Sequence, residues 1–320
     1  MRVLITGMGG ELGTRLAQML ETRSDVEEIV GVDIEPPRRR LRRSTFHRID
    51  VRHRERLVDF VTDLAPTVVA HYGIYEPDSR LGARDAAEAT ESCTLGALGA
   101  AARTGKLERL VVRSAIAVYG RGRGRPVVPD ESVIPAPTTP YGRTCLDVEA
   151  EAVALSYRHG IPVVALREAP VVGSHVPSPL GRLLRLPAVP VPAFSDPAFS
   201  LLHQDDAARA WVAALTSDVE GPFNIVGSGA VSPWQVVRLG NRIPIPVAGP
   251  AWALARTFAE LAGAPVPPQV VELMCKGRAA DGSRARAELG LGELTSTRDV
   301  CVELYEWATV TQLPVSQVVA

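Results

Sequence analysis

The chain has 320 residues, of which 46% are hydrophobic, and its formal net charge is -1. This length and composition predict a globular protein with a sizeable core, and the near-neutral charge argues against a general attraction to nucleic acid or to an anionic membrane surface. Four scattered cysteines without a CxxC pair predict neither a zinc site nor disulfides, and without a signal-like or membrane-spanning apolar run we expect a cytoplasmic protein.

Short apolar runs alternate with stretches of helical periodicity through the first half of the chain. Helices are predicted from about Glu11, at 54–64, at 84–103 and after Tyr141. Parallel strands buried on both faces have this composition, so the alternation predicts a Rossmann-type, doubly wound parallel sheet of the α/β class. The predicted strands are VLIT (3–6), EIVGVD (28–33), FHRID (46–50), TVVAHY (67–72), RLVVRSA (109–115) and IPVVALR (161–167).

The composition changes after Arg167, where residues 168–194 are rich in proline and turn-forming residues. An irregular segment that opens a smaller lobe is predicted there. A strand at 199–203, a helix at 205–217 and a strand at 222–226 then predict a return to the sheet. The predicted division is a dinucleotide-binding domain of 1–171 with 199–227, and a mostly helical substrate-binding lobe of 172–198 with 228–320.

The first strand ends in a glycine-rich turn that opens the first helix. Gly7 permits a tight turn, Gly10 lets a pyrophosphate approach the backbone, and Gly13 lets helix and strand pack closely. Asp33 closes the second strand, where its carboxylate can accept hydrogen bonds from the adenosine ribose hydroxyls. A dinucleotide site is therefore predicted here. The residues it draws from the turn are Gly7, Gly10, Glu11, Leu12 and Gly13.

The arginine-rich run PPRRRLRR (36–43) follows Asp33 and could receive the 2′-phosphate of NADP. Asp33 would repel that phosphate, and such a run is more often a solvated loop. We therefore predict NAD as the cofactor rather than NADP. A nucleic-acid or membrane binder built on this run is not favoured, because the net charge is -1 and no aromatic residues are interleaved.

Further motifs follow the glycine turn in a fixed order, and together they cover nearly the whole chain. As a set they resemble the extended short-chain dehydrogenase/reductase family, in its NAD-dependent epimerase/dehydratase branch. The motifs are Asp33, the acid Asp50, VVAHYG (68–73), SAIAVYG (114–120), PDES (129–132), TPYGRT (139–144), HQDDAARA (203–210) and DGSRARAELGL (281–291).

The resemblance implies a reaction centre built on a Tyr-x-x-x-Lys pair, in which the tyrosine is the acid or base and the lysine lowers its pKa. Tyr141 matches that tyrosine. It also implies a homodimer through the helix at 84–103 and the helix after Tyr141. The other positions that it implies for cofactor binding are Asp50, Val51, His71, Tyr72, Gly73 and Tyr141 itself.

Four family positions are changed in this chain. The lysine position is Cys145, and the Ser or Thr four residues before Tyr119 is Ala115. Pro170 stands where nucleotide-sugar enzymes commonly carry an asparagine, and Phe199 where they carry an arginine. The implied substrate-binding residues are then Ser114, Ala115, Ile116 and Pro170.

The loss of the lysine has a calculable cost. A free tyrosine titrates near pH 10, so its anion at neutral pH costs about 4 kcal/mol unless a cation offsets it. One expectation is a divergent oxidoreductase, epimerase or dehydratase that keeps Tyr141, with Ser114 or water orienting the substrate. Cys145 could act as a nucleophile near the start of a helix. The alternative is an NAD-binding regulatory or partner protein without turnover.

Overall fold

The computed structural model describes residues 1–173 and 175–306. Its strands are β1 (Arg2–Thr6), β2 (Glu28–Asp33), β3 (Thr45–Arg48), β4 (Val68–His71), β5 (Arg109–Ala115), β6 (Val163–Glu168), β7 (Val171–Val172), β8 (Ala188–Pro192), β9 (Leu202–His203), β10 (Gly221–Ile225) and β11 (Ile243–Val247). Its helices are α1 (Glu11–Leu20), α2 (Arg54–Leu64), α3 (Ala83–Cys93), α4 (Gly99–Arg103), α5 (Pro140–His159), α6 (Pro179–Leu184), α7 (Gln204–Thr216), α8 (Pro233–Leu239), α9 (Ala251–Leu261), α10 (Pro268–Lys276), α11 (Ser283–Glu288) and α12 (Thr297–Glu306). A π-helical segment, Thr94–Leu98, joins α3 to α4.

The central sheet has seven parallel strands in the order β10-β6-β5-β4-β1-β2-β3. Its inner strands are apolar on both faces, because helices cover both sides of a parallel sheet. The strand order reverses between β1 and β4. At such a reversal the loops beyond the carboxyl ends diverge and leave a crevice, which is where α/β sheets bind ligands. The predicted Rossmann-type fold is confirmed.

Two predictions for the segment after Arg167 were wrong. Residues 168–194 contain α6 and β8, and β8 pairs in parallel with β11 as a separate sheet of two strands. Each strand of such a pair is an edge, so its alternate prolines can turn their nitrogen atoms, which carry no hydrogen, away from the partner. The segment 199–203 forms only the short strand β9, which pairs with β7. The element that returns to the central sheet is β10, beside β6.

Buried side chains form two clusters. The larger one surrounds the central sheet, and the smaller one lies among α6, β8, α8, α10 and α12. Residues of α11 pack in the larger cluster, although the sequence assigns 228–320 to the smaller lobe. The last part of that predicted lobe, 307–320, and Ser174 lie outside the described residues. Within the described ranges, none of the helices has the length and apolar character needed to cross a membrane.

Candidate functional site

Two joined cavities lie at the carboxyl edge of the central sheet. The first, the glycine-turn cleft, includes Gly7, Gly10, Gly13, Tyr72, Arg80 and Pro177 in its lining. The second, the inner cavity, includes Arg113, Ala115, Tyr141, Glu168, Pro170 and Arg278 in its lining. Glu76, Arg113 and Val171 line both cavities, so the two spaces meet at these side chains.

The glycine turn is tight and leaves no room for side chains. Gly7 has a φ of +73°, and its N–H donates to the Val32 carbonyl at 2.8 Å. A Cβ atom on Gly13 would lie 2.5 Å from the Gly7 carbonyl oxygen, closer than real Cβ contacts allow. The turn leads directly into α1, whose first amides have no acceptor inside the helix. A cradle of backbone donors at a helix N-terminus fits the phosphates of a dinucleotide.

Asp33 closes β2 beside this cradle, and its side chain is fully buried. Its carboxylate accepts hydrogen bonds from Tyr75 Oη at 2.9 Å, from the Ile34 amide at 2.7 Å and from Arg80 Nη1 at 2.7 Å. Neither Tyr75 nor Arg80 is predicted from the sequence. The predicted ribose-binding carboxylate therefore lies at the cleft but is covered by an arginine that belongs to the loop after β4.

The arginine-rich run packs against α1. Arg39 forms an ion pair with Glu11 at 2.9 Å, and the Arg43 guanidinium donates to backbone carbonyls at the end of α1 and before β2. Asp50 pairs with Arg52 at 2.7 Å, while Val51 is buried. Arg39 and Arg43 thus attach the loop that carries the run to α1 and the segment after it, whereas the sequence favours a solvated loop.

His71 is fully buried at the end of β4, and the neighbouring Gly73 packs against Cys93. The imidazole forms hydrogen bonds of 2.8 Å with Thr6 Oγ1 and 3.0 Å with Thr94 Oγ1. Burial lowers the pKa of His71 to about 3, so the ring is neutral. The structure thus encloses the side chain of this predicted cofactor-binding position between two hydroxyl groups.

Tyr141 lies in the first turn of α5. Thr139 caps that helix by accepting a hydrogen bond from the Gly142 amide at 3.2 Å, and Pro140 is its first residue, so the Thr-Pro lead-in fixes where the helix begins. The phenol is 7% exposed and lines the inner cavity. Burial raises the pKa of Tyr141 well above its ordinary value, and the Arg113 guanidinium acts in the opposite direction.

Cys145 does not have the properties of a nucleophile. The thiol lies in the second turn of α5, next to Tyr141, and is fully buried. Burial raises its pKa to about 12. Desolvation in the core disfavours the thiolate at this depth, which does not favour the possibility that Cys145 is a nucleophile.

Ser114 has its hydroxyl engaged in a buried network. The hydroxyl donates to Glu149, which also receives two hydrogen bonds from Arg167, at 2.9 and 2.7 Å. Arg167 donates to Tyr119 Oη at 2.9 Å as well. The predicted substrate residues Ser114, Ala115, Ile116 and Pro170 all line the inner cavity. The Ser114 hydroxyl, however, is committed to the network.

Arg113 and Glu168 form a charged pair that is not predicted from the sequence. Arg113 Nε donates to Glu168 Oε2 at 3.1 Å, and the other Glu168 oxygen accepts from Trp211 Nε1 at 2.7 Å. Burial opposes the charge of Arg113, but Tyr141, Glu168 and Glu76 together raise its pKa above the ordinary value. A cation therefore lies beside Tyr141 despite the missing lysine. The available signal was the charge of Arg113 inside a predicted buried strand, since such charges are nearly always paired. Glu168 directly follows the predicted strand 161–167.

Phe199 occupies the position where the family resemblance implies an arginine, and the backbone of Arg278 lies beside it. Phe199 is buried, and its backbone is bridged to that of Arg278, whose side chain lines the inner cavity. One Arg278 nitrogen donates to Glu272, while its Nε is buried without a hydrogen-bond partner among the described residues. Within those residues, no cluster of three or more histidine, cysteine or acidic side chains could hold a metal ion.

A parallel sheet whose first turn is a glycine cradle, with a second cavity opening from it, defines a Rossmann-type dinucleotide-binding protein. The sequence matches the model of the NAD dependent epimerase/dehydratase family over residues 3–226, and the chain belongs to that family. The family resemblance of the sequence motifs is thereby confirmed.

The chain is similar to proteins of both known and unknown activity. It is 30% identical over 308 residues to the uncharacterized protein Rv0501 of Mycobacterium tuberculosis (strain ATCC 25618 / H37Rv), covering 90% of this chain and 79% of that protein. Its fold is similar to that of UDP-glucuronic acid 4-epimerase from Bacillus cereus in complex with UDP-glucuronic acid and NAD, with a TM-score of 0.74 and 22% identity. The match covers 96% of this chain and 98% of that chain.

Two further solved structures share the fold. MoeE5 in complex with UDP-glucose and NAD is 26% identical, with a TM-score of 0.71 and coverage of 96% of this chain and 98% of that one. The dTDP-glucose 4,6-dehydratase of Bacillus anthracis str. Ames in complex with NAD is 17% identical, with a TM-score of 0.72 and coverage of 96% of both chains. The prediction of NAD agrees with the family and with these complexes.

Proposed function

We propose that this chain is an NAD-dependent oxidoreductase of the epimerase/dehydratase type that acts on a small hydroxyl- or carbonyl-bearing substrate. The glycine turn and the first amides of α1 would hold NAD, and NAD when bound supplies the acceptor or donor of a hydride. Tyr141 is the acid or base. The observation that carries this proposal is that Tyr141 and Arg113 line one cavity, and that Arg113 also lines the glycine-turn cleft.

Arg113 supplies the positive charge that the family places on lysine. A cation close to a phenol stabilises the phenolate and makes proton removal from a hydroxyl less costly. Glu168 and the Ile74 carbonyl, which accepts from Arg113 Nη1 at 3.3 Å, orient the guanidinium. An arginine stays protonated at all accessible pH values, so it can offset the phenolate charge but cannot itself relay the proton.

The substrate is smaller than, or different from, the nucleotide sugars of the structural neighbours. Pro170 offers no side-chain hydrogen bond, and Phe199 is buried in the smaller cluster. The polar groups that line the inner cavity instead include Tyr141, Arg113, Glu76 and Arg278. They would select a compact substrate with several oxygen atoms.

A second candidate is a dinucleotide-binding protein without turnover. Two observations favour it: a buried, neutral thiol fills the lysine position, and the Ser114 hydroxyl is engaged by Glu149. In this case the cofactor site is kept and the acid/base pair is not.

Turnover by Tyr141 separates the two candidates. Purified protein is mixed with NAD⁺ and a panel of secondary alcohols, sugars and hydroxy acids, or with NADH and ketones and aldehydes, and nicotinamide absorbance is followed in the first turnover. Tyr141→Phe should lower the rate by about 10²–10⁴-fold, the usual contribution of a general acid or base. NAD affinity should stay within about threefold, because Tyr141 lines the inner cavity.

Tyr157→Phe is the matched control, because Tyr157 lies on the same helix and is 90% exposed. Its rate should equal that of the wild-type protein. If NAD binds but no compound gives turnover that depends on Tyr141, the enzyme proposal fails and the binding protein stands.

A further inference from the structure

Arg80 lies where the phosphates of a dinucleotide would approach the glycine turn. Its Nη1 atom is 3.4 Å from the position that a Cβ atom on Gly10 would take. The same nitrogen is 2.7 Å from the Asp33 carboxylate, and Nη2 is 3.3 Å from Glu35. The guanidinium also lies 6.0 Å from the centre of the Tyr75 ring. An arginine in the loop after β4 is thus held directly over the cradle.

The loop that carries Arg80 is fastened to the smaller lobe. The Ser79 hydroxyl donates to the Pro177 carbonyl, and Arg182 of α6 donates to the Asp78 carbonyl. Pro177 and Ser79 line the glycine-turn cleft together with Arg80. Part of the cleft lining is therefore built jointly by the Arg80 loop and by the segment that begins the smaller lobe.

We infer that Arg80 binds the pyrophosphate of the cofactor and closes the glycine-turn cleft from the side opposite α1. A phosphate at the N-terminus of α1 would be contacted by backbone amides from one side and by a planar, always charged guanidinium from the other. Asp33 and Glu35 fix the orientation of that guanidinium. The inference rests on the proposed use of a dinucleotide and holds whether or not the protein catalyses a reaction.

The other charges around the cradle leave this role open to Arg80. Glu11 begins α1 and would repel a phosphate, but it is paired with Arg15 and Arg39, both at 2.9 Å. Arg39 is thus engaged by a carboxylate. Arg80 pairs with carboxylates too, but it is the arginine positioned over Gly10. The sequence predicts the pyrophosphate at the glycine turn and offers the run at 36–43 only as a disfavoured site for a 2′-phosphate; it gives Arg80 no role.

The test compares three ligands that differ in their phosphates: NAD, ADP and adenosine. Their dissociation constants are measured by calorimetry for the wild-type protein and for Arg80→Gln. We expect Arg80→Gln to weaken NAD and ADP about 10- to 100-fold, the range for a charge-assisted hydrogen bond, and to change adenosine by less than about twofold. Arg80→Lys should recover part of the loss for NAD and ADP.

Two outcomes would overturn the inference. Tighter binding of all three ligands to Arg80→Gln would mean that Arg80 only covers Asp33. Affinities of Arg80→Gln for NAD and ADP equal to those of the wild-type protein would mean that Arg80 contacts no phosphate. Because Arg80→Gln leaves the Asp33 carboxylate buried without its cation, the double variant Arg80→Gln/Asp33→Asn is measured alongside. Compared with Asp33→Asn, it must lose as much affinity for ADP relative to adenosine as Arg80→Gln loses compared with the wild-type protein. Arg84→Gln, an exposed arginine at the start of α3, should leave every affinity unchanged.

Discussion

The glycine-turn cleft and the inner cavity meet at Arg113, yet they are built in different ways. The cleft wall along the turn is made of backbone: three glycines and the first amides of α1. The wall of the inner cavity is made of side chains from distant elements, with Arg113, Tyr141, Glu168 and Arg278 placed among apolar residues. A backbone site depends on a short run of sequence, whereas a side-chain site depends on residues far apart in the chain.

This difference determines how each cavity can vary. A change in the glycine turn meets rigid backbone, so few substitutions fit there. The inner cavity can lose its family lysine and arginine and still hold cations, because Arg113 and Arg278 reach the same space from other elements. We therefore expect the glycine-turn cleft to tolerate few substitutions, and the inner cavity to accept new combinations of side chains.

The sharpest test of that contrast is Gly13→Ala in the glycine-turn cleft. The added Cβ atom would lie 2.5 Å from the Gly7 carbonyl oxygen and 2.8 Å from Met8 Cα, and both are backbone atoms that can move only with the turn. We expect a loss of about 3 kcal/mol in the free energy of unfolding, at the upper end for overpacking, and weaker NAD binding. Urea titration and calorimetry measure the two effects.

Gly82→Ala is the control for that variant, because Gly82 has a negative φ and no atom within 4 Å of the added Cβ. It should be neutral in both measurements. A Gly13→Ala protein of wild-type stability and affinity would remove the basis for calling the cleft the rigid half.

The same contrast explains how much could be predicted from the sequence. The order of βα units and the residues of the glycine turn followed from local patterns, since strand composition and glycine spacing act over a few residues. The Arg113–Glu168 pair did not, because its members sit on neighbouring strands 55 residues apart in sequence. Arg80 did not either, since its place over Gly10 depends on how its loop packs against the smaller lobe.

The pairing of β9, which ends at His203, could not be predicted from the sequence for a similar reason. The segment 199–203 was predicted to return to the central sheet, but the pairing of β9 with β7 is set by tertiary packing. The prolines of β8 suggested an irregular chain, because proline is rare in strands in general, and β11 was not predicted as a strand. They are accommodated here since both strands are edges, and that is a property of the partner strand rather than of the local sequence.

In the inner cavity the corresponding test is Arg113→Gln. Removing the cation raises the pKa of Tyr141 further above its ordinary value, so less phenolate forms at a given pH. If the protein turns over as proposed, the rate near pH 8 should fall about 10- to 100-fold, and the limb of the pH profile that reports the base should move to higher pH. Arg113→Lys should keep most of the activity.

Loss of the Glu168 partner must be separated from loss of the cation. Arg113→Gln/Glu168→Gln removes both charges and restores a neutral pair. If it recovers the wild-type rate, Arg113 is structural and the proposed role fails. A fall in rate without any change in the pH profile would point to the same conclusion.

The smallest expected effect concerns His71, which lies under the glycine-turn cleft and tests whether every polar residue near it serves the cofactor. The folded protein keeps this ring neutral down to about pH 3, while an unfolded histidine accepts a proton near pH 6.5. Below pH 6.5 the unfolded state therefore binds a proton that the folded state does not. The free energy of unfolding is highest above pH 6.5 and decreases as the pH falls toward 3. Between pH 7 and pH 5 the loss is about 2 kcal/mol.

His71→Gln can keep hydrogen bonds to Thr6 and Thr94 but cannot titrate, so its free energy of unfolding should fall about 2 kcal/mol less than that of the wild-type protein over this pH range. NAD affinity should stay within about twofold, because the ring is fully buried. His47→Gln, an exposed histidine on β3, should show the wild-type pH dependence. A large loss of NAD affinity with unchanged pH dependence would instead make His71 a cofactor residue, and the cleft would then rely on side chains as the inner cavity does.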